Sequence, residues 1–320
     1  MQRKLITATT LTLLALVGCD TNSNDLDEVN KAAAQLPDLI TFEQAGTVPE
    51  GIDYDNNNQR LLTGSVATGI VSEIHADGTL TPFINDPDIT ASIGIEIDEA
   101  RQRLLVVNAN IKAFRGEAKG HAKLGVYNLS DGKRIAMVDL GSADPNKDRA
   151  RLANDVTVDD DGNIYITDTI ARMIYKVDKN YKASVLLADV FNKHEAFMLN
   201  GLVAFESEFL LVAESLAGGL YKVPLASPEN YARVSLNTSA EGADGITWHP
   251  NGNLLIPSNG THRVIELHSN DNWHSATLVR SGEFEGLATT ITVVGNDVYG
   301  VDPMFEQPQT QPIVRRIPLN

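Results

Sequence analysis

The sequence predicts an all-β protein, a six-bladed β-propeller with four-stranded blades, and three observations predict it. A short motif recurs six times at a blade-like pitch, short strands follow each copy, and no helical periodicity intervenes. The motif is a polar residue, usually then glycine, then an aliphatic residue that opens a strand. It reads Glu50-Gly51-Ile52, Ile93-Gly94-Ile95, Asn154-Asp155-Val156, Asn200-Gly201-Leu202, Asp244-Gly245-Ile246 and Glu285-Gly286-Leu287, with Ile93 the one apolar opening. Successive copies lie 43, 61, 46, 44 and 41 residues apart, and four of these intervals match the pitch of propeller blades. The long interval holds an excursion over 112–123 and a second over 142–151.

Each repeat carries its own strand series. In the third, 156–158 is a strand, Asp160-Asp161-Gly162-Asn163 a hairpin turn, and 164–167, 173–177 and 184–187 the remaining strands. Such turns need positive φ, which Gly, Asn and Asp supply. The fourth repeat gives strands at 202–204, 209–213, 219–223 and 232–236. The fifth gives 246–248, a turn at Pro250-Asn251-Gly252-Asn253, then 254–256 and 263–267. The sixth has 288–293, 297–301 and 313–317 but lacks an outer strand, which 39–44 is expected to supply from the N-terminal side. That closure removes the last exposed sheet edge.

Ahead of the propeller, Arg3 and Lys4 precede an apolar stretch over 5–17 that is shorter than the roughly 20 residues a spanning helix needs. The ending Leu16-Val17-Gly18-Cys19 resembles the lipobox of bacterial lipoproteins. The resemblance implies a signal peptide at 1–18 and lipidation of Cys19, the single cysteine of the chain, so the membrane is met by a lipid anchor only. Residues 19–38, rich in Asp, Asn, Ser and Ala, read as a flexible tether to a propeller over 39–320. The expected location is the bacterial cell envelope, facing the periplasm, and Asp20 resembles an inner-membrane retention signal. The formal charge is −16, and −18 once the leader with Arg3 and Lys4 is removed. This excludes nucleic acid as a partner, whose binding needs a basic surface. A tethered monomer acting on a small molecule is the expectation.

In a propeller the first strand of each blade lines the central channel, so the residue before it stands at the channel mouth. Glu50, Ile93, Asn154, Asn200, Asp244 and Glu285 therefore form one column, and five of the six carry side-chain oxygen. Carboxylates with amide carbonyls suit a hard cation such as Ca²⁺ or another divalent ion, and the absence of histidine from the column speaks against zinc or iron. Asx-turns would also place Asn and Asp before strands, but Glu50 and Glu285 do not make them.

The segments PEGIDYD, LANDVTVDDDGNIYITDT, NGLVAF and ADGITWHPNGNLLIPSNGTHRVIEL resemble blades of the SMP-30/gluconolactonase group, which includes diisopropylfluorophosphatase and strictosidine-synthase-like propellers. The likeness runs from about residue 37 to the C-terminus. It implies a calcium-dependent hydrolase of a lactone or related ester, with metal ligands at Glu50, Asn154, Asn200 and Asp244. It gives Asp244 the further role of base or nucleophile, and Glu285, taken from its place in the column and without a family counterpart, is the alternative carboxylate. Asn154, Arg151 and His194 are the candidate substrate contacts, with Arg149 and Glu195 beside them. The competing reading is a non-catalytic binding module of the envelope with a structural Ca²⁺. The excursion with Lys112, Arg115, Lys119 and Lys123 serves as pocket lid in the first reading and as partner surface in the second.

Overall fold

Short runs of Val, Ile, Leu and Tyr, bounded by Asp/Asn/Gly turns, pair into six sheets set around a channel. The computed structural model describes residues 36–44, 46–188, 198–305 and 310–320. In blade 3, Ala153–Val158, Ile164–Asp168, Met173–Val177 and Ala183–Leu187 pair antiparallel in chain order. The first turn works as predicted: Gly162 takes φ +86, and the Asn163 N–H donates to Asp159 Oδ1 at 2.8 Å. Blades 1, 2 and 4 repeat the plan, beginning with Pro49–Asp55, Ser92–Asp98 and Leu199–Phe205.

Blade 6 is closed by Leu39–Thr41, which pairs antiparallel with Ile313–Arg316 as the sequence predicts. Ile40 and Phe42 are buried in the seam with Tyr299, Val301 and Val314. An Arg316–Asp38 ion pair of 2.6 Å and the Phe42 N–H to Pro312 O bond of 2.9 Å hold the seam's rim.

The predicted outer strand 232–236 of blade 4 is divided. Ala232–Arg233 stays on blade 4, while Ser235–Leu236 pairs in parallel with Ser275–Glu283 of blade 5. Val234 between them is buried, and its N–H still donates to Leu220 O at 2.8 Å while the next N–H, of Ser235, goes to His274 O at 3.0 Å. The chain thus crosses from one sheet edge to the next and covers the edge of blade 5, a five-stranded sheet.

The interior lies between blades, where aliphatic side chains from adjacent sheets interlock. One cluster joins Leu105, Val107 and Leu124 of blade 2 to Val156, Ile166 and Met173 of blade 3. Trp248 and Trp273 pack edge to face at 5.4 Å, and the Trp248 Nε1–H donates to Ala204 O at 2.8 Å, so both serve packing. No helix among the described residues is long and apolar enough to cross a membrane.

Candidate active site at the channel mouth

The motif owes its form to a β-bulge repeated in every inner strand through blade 5. Pairing runs Pro49↔Ser65 then Ile52↔Thr63, Ser92↔Asn108 then Ile95↔Val106, Ala153↔Asp168 then Val156↔Ile166, and Leu199↔Glu214 then Leu202↔Val212. Blade 5 does the same between Ala243↔Ser258 and Thr247↔Leu255. Each inner strand spends one extra residue opposite its partner, which re-aims the side chain at that point. The glycine after it answers a close approach: a Cβ on Gly51 would lie 2.5 Å from Ile93 O, and one on Gly94 2.8 Å from Asn154 O. In blade 3 the same place holds Asp155, whose carboxylate accepts from the Leu202 N–H of the next blade at 3.2 Å.

Glu50, Asn154, Asn200 and Asp244 line a single cavity of about 480 Å³ at the channel mouth. Residues just past the second strands of blades 3, 4 and 5 orient three of them. Asn154 Nδ2 donates to Thr169 Oγ1 at 2.9 Å, and Thr169 Oγ1 donates its own proton to Leu199 O at 2.7 Å. Asn200 repeats this with Ser215 Oγ at 3.1 Å, whose hydroxyl donates to Ala243 O. A hydroxyl committed as donor can only accept from the amide, which fixes which way each amide faces, and the Asn200 NH₂ also reaches the Asp244 carboxylate. Asn200 Oδ1 is then buried without a hydrogen-bond partner. At the acid position the support reverses: Asn259 Nδ2 donates to Asp244 Oδ2 at 3.3 Å, while Asn259 Oδ1 accepts from Ala288 N at 2.9 Å. Acceptors thus stand behind the amides and a donor behind the carboxylate.

The acids are held away from their ordinary protonation range. Burial, then the charges of Asp244 and Asp155, pushes Glu50 well above the usual carboxylate range. Burial and Asp155 push Asp244 up to about 8, against the Asn200 amide and the Gly245 N–H. Deeper in the channel stand Asp53, raised to about 6, Asp155, raised to about 7, and Glu96, raised well above its ordinary value, each chiefly by burial. Two carboxylates and two amide carbonyls, one of them the orphaned Asn200 Oδ1, make a donor set that fits a hard cation. Among the described residues no group of three or more His, Cys, Asp and Glu forms a metal cluster.

Three predicted residues, Glu285, Arg151 and Arg149, are not among those that line the cavity. Glu285 is exposed and lies in a turn, where Gly286 takes φ +76 and the Leu287 N–H donates to Asp302 Oδ2 at 3.1 Å. The sixth place in the column belongs to Thr289, four residues later, which lines the cavity and donates to Glu50 O at 2.9 Å. The Glu-Gly-Leu string imitates the motif without its position. Arg151 is buried, with Nη2 on Asp144 Oδ2 at 2.7 Å and Asn146 O at 2.6 Å and Nη1 on Arg149 O at 2.8 Å, so its two Nη groups brace the 142–151 excursion. Arg149 shares Asp144 through a 3.1 Å ion pair. Cys19, the leader 1–18, His194 and Glu195 lie outside the described residues.

The sequence reading left the 112–123 excursion open, and the structure sets part of it on the cavity. Asn110 Oδ1 caps a short 3₁₀ turn, Ile111–Ala113, and Ile111, Phe114 and Arg115 line the cavity while Lys112 and Lys119 are exposed. The excursion is tied down by the Arg151 N–H to Lys119 O bond at 2.9 Å and by a 2.7 Å Lys119–Asp148 pair. Val66, Ile93, Leu152, Met198 and Phe305 complete the wall.

No protein-family model and no curated protein sequence matches the chain. Solved structures do match in shape. The allergen Mala s 1 of Malassezia sympodialis superimposes with a TM-score of 0.75 at 17% identity, covering 89% of this chain and 97% of that one. A gluconolactonase from Xanthomonas campestris gives 0.61 at 17% identity, covering 88% and 89%. Virginiamycin B lyase from Staphylococcus aureus gives 0.58 at 15% identity, covering 82% and 80%. The chain therefore has the propeller fold that gluconolactonases share with this lyase and this allergen, a fold on which unrelated functions sit.

Proposed function

We propose that the protein hydrolyses a lactone or related ester at the channel mouth, with Ca²⁺ held by Glu50, Asn154, Asn200 and Asp244. The observation that carries this reading is Asn200 Oδ1, a buried carbonyl oxygen with no partner, beside Asn154, Glu50 and Asp244 in one cavity. An unmet acceptor of that kind costs roughly 1–3 kcal/mol unless something satisfies it, and a cation does. A bound cation would polarise the substrate carbonyl and stabilise the charge that develops on its oxygen.

Asp244 is the base in this scheme, since Asn259 steadies one of its oxygens at the cavity floor. Water attacks the carbonyl carbon, its proton passes to Asp244, and the proton then goes to the departing alkoxide. Asn154 and Thr289 stand where they can contact the substrate. The fold shared with a gluconolactonase agrees with this chemistry. In the same reading a lipidated Cys19 tethers the domain in the bacterial envelope, which loss of acyl labelling in Cys19→Ser would check.

The test is lactonase and arylesterase activity of the purified protein, with Ca²⁺ and after chelation, beside Asp244→Ala. Turnover lost in both cases is the expected result. If no ester turns over while Ca²⁺ still raises the melting temperature, the ion is structural and the propeller is a binding module.

A further inference from the structure

We infer that the substrate carries an extended apolar substituent on its ester or lactone, and is not a sugar lactone. This rests on the hydrolytic reading and narrows it. A sugar's hydroxyls need partners once water is displaced, because an unpaired buried polar group is costly. Among the described residues, the cavity's polar groups are the four floor residues, Thr289 and Arg115, and Thr289 is already bonded to Glu50 O. The rest of the described wall is apolar, from Ile93 and Leu152 near the floor to Phe114 and Phe305 at the rim.

Phe114 and Phe305 are 56% and 51% exposed, an unusual state for two large aromatics facing the same opening. They gain from a ligand that covers them. Phe305 and Arg115 also line a second concavity of about 440 Å³, where Val48, Pro303, Met304 and Pro312 supply apolar wall beside Thr47, Thr310 and Gln311. The two hollows share that boundary, and an arginine stem is apolar along its length. A carbonyl at the floor thus leaves room for a chain that passes Phe114 and crosses Phe305 into the neighbouring hollow.

The experiment is kcat/KM for p-nitrophenyl esters from acetyl to decanoyl, with glucono-δ-lactone alongside, in wild type and in Phe114→Ala/Phe305→Ala. Each fully buried methylene is worth about fourfold. Allowing for partial burial, the expected rise from acetyl to octanoyl is at least about tenfold, and the double variant flattens it. Equal rates along the series, or preference for glucono-δ-lactone, would overturn the inference while leaving the hydrolase intact. If nothing turns over, the hydrolytic reading fails instead, and calorimetric binding of octanoate against gluconate decides the ligand class. Octanoate bound in preference, and weakened by the double variant, keeps it. Neither bound, or gluconate preferred, ends it.

Discussion

The channel holds carboxylates at two depths, and they behave differently although the same strands supply them. At the mouth, Glu50 and Asp244 face a cavity, and the groups around them leave acceptor oxygen unmet. Three residues further along the strand of Glu50, Asp53 is stitched into the ring. It accepts from the Tyr54 N–H at 2.7 Å, the Ile97 N–H of blade 2 at 2.8 Å and Thr292 Oγ1 of blade 6 at 3.2 Å. Asp155 ties blade 3 to blade 4 in the same way, through the Leu202 N–H. An acid whose oxygens are spent on backbone N–H groups holds blades together. An acid whose oxygens face a cavity remains available for chemistry.

The sharpest break of that comparison exchanges the two acids. Asp244→Ala is expected to lower ester hydrolysis by about 10³-fold or more, the range for losing a catalytic acid–base group and a charge-stabilising contact together. It should leave the melting temperature level or raise it, because a buried carboxylate that resists ionisation is removed. Asp53→Ala should do the opposite. Two N–H groups lose their acceptor, at a cost of about 2–4 kcal/mol, which melting or denaturant titration would record. Activity following Asp53 as strongly as Asp244 at a temperature where both variants are folded would erase the distinction.

The orienting hydroxyls come next. With Thr169→Val or Ser215→Ala the neighbouring amide loses its acceptor and is free to turn its NH₂ toward the cavity. Supporting groups of this kind are worth about 10–100-fold in metal affinity. Calcium binding, measured by calorimetry, should weaken by that factor, and Thr169→Ser or Ser215→Thr should restore it. Unchanged affinity in both variants would mean that the amide carbonyls do not ligate.

A smaller effect is expected from pH. Asp53, Asp155 and Asp244 sit near 6, 7 and 8, against about 4 in the unfolded chain, and Glu50 and Glu96 are also raised. The folded protein holds these protons more tightly, so the stabilisation they give is full below pH 4 and is lost as pH climbs through 6 to 8. The metal-free melting temperature should therefore fall across that interval. Calcium would displace protons at the mouth only, so its stabilising shift should be larger at pH 8 than at pH 5. A shift of equal size at both pH values would place the cation away from Glu50 and Asp244.

The propeller and four of the column residues were legible because repetition writes itself into spacing. The bulge brings the corresponding position to the mouth in blades 1 to 5, so the repeat interval carries site geometry as well as fold. Asp53 and Glu96 could have been read too, since each lies three residues after its column position, but without the bulge that offset points to the wrong face of a strand. Thr169, Ser215 and Asn259 left no comparable signal. Each follows the end of a second strand, and its role depends on which hydrogen-bond partner the next blade offers. Arg151 was misplaced for a related reason: proximity to Asn154 along the chain says nothing about the carboxylate of Asp144, which occupies it.

The last prediction concerns the sixth blade, where sequence and structure disagree. The Glu285-Gly286-Leu287 string satisfies the motif by type, yet Gly286 turns through positive φ and the inner strand begins at Thr290. Glu285→Gln should change neither hydrolysis nor calcium affinity by more than about twofold, as expected for an exposed surface position. Thr289→Val removes the hydroxyl that bonds Glu50 O and faces the cavity, so a decrease in kcat/KM of roughly fivefold is expected from one lost hydrogen bond. Had Glu285 been the column residue, the two results would be exchanged, because a third mouth carboxylate would tighten the cation and its loss would loosen it. A calcium titration of Glu285→Gln therefore tests the register of the sixth blade independently of whether any substrate is known.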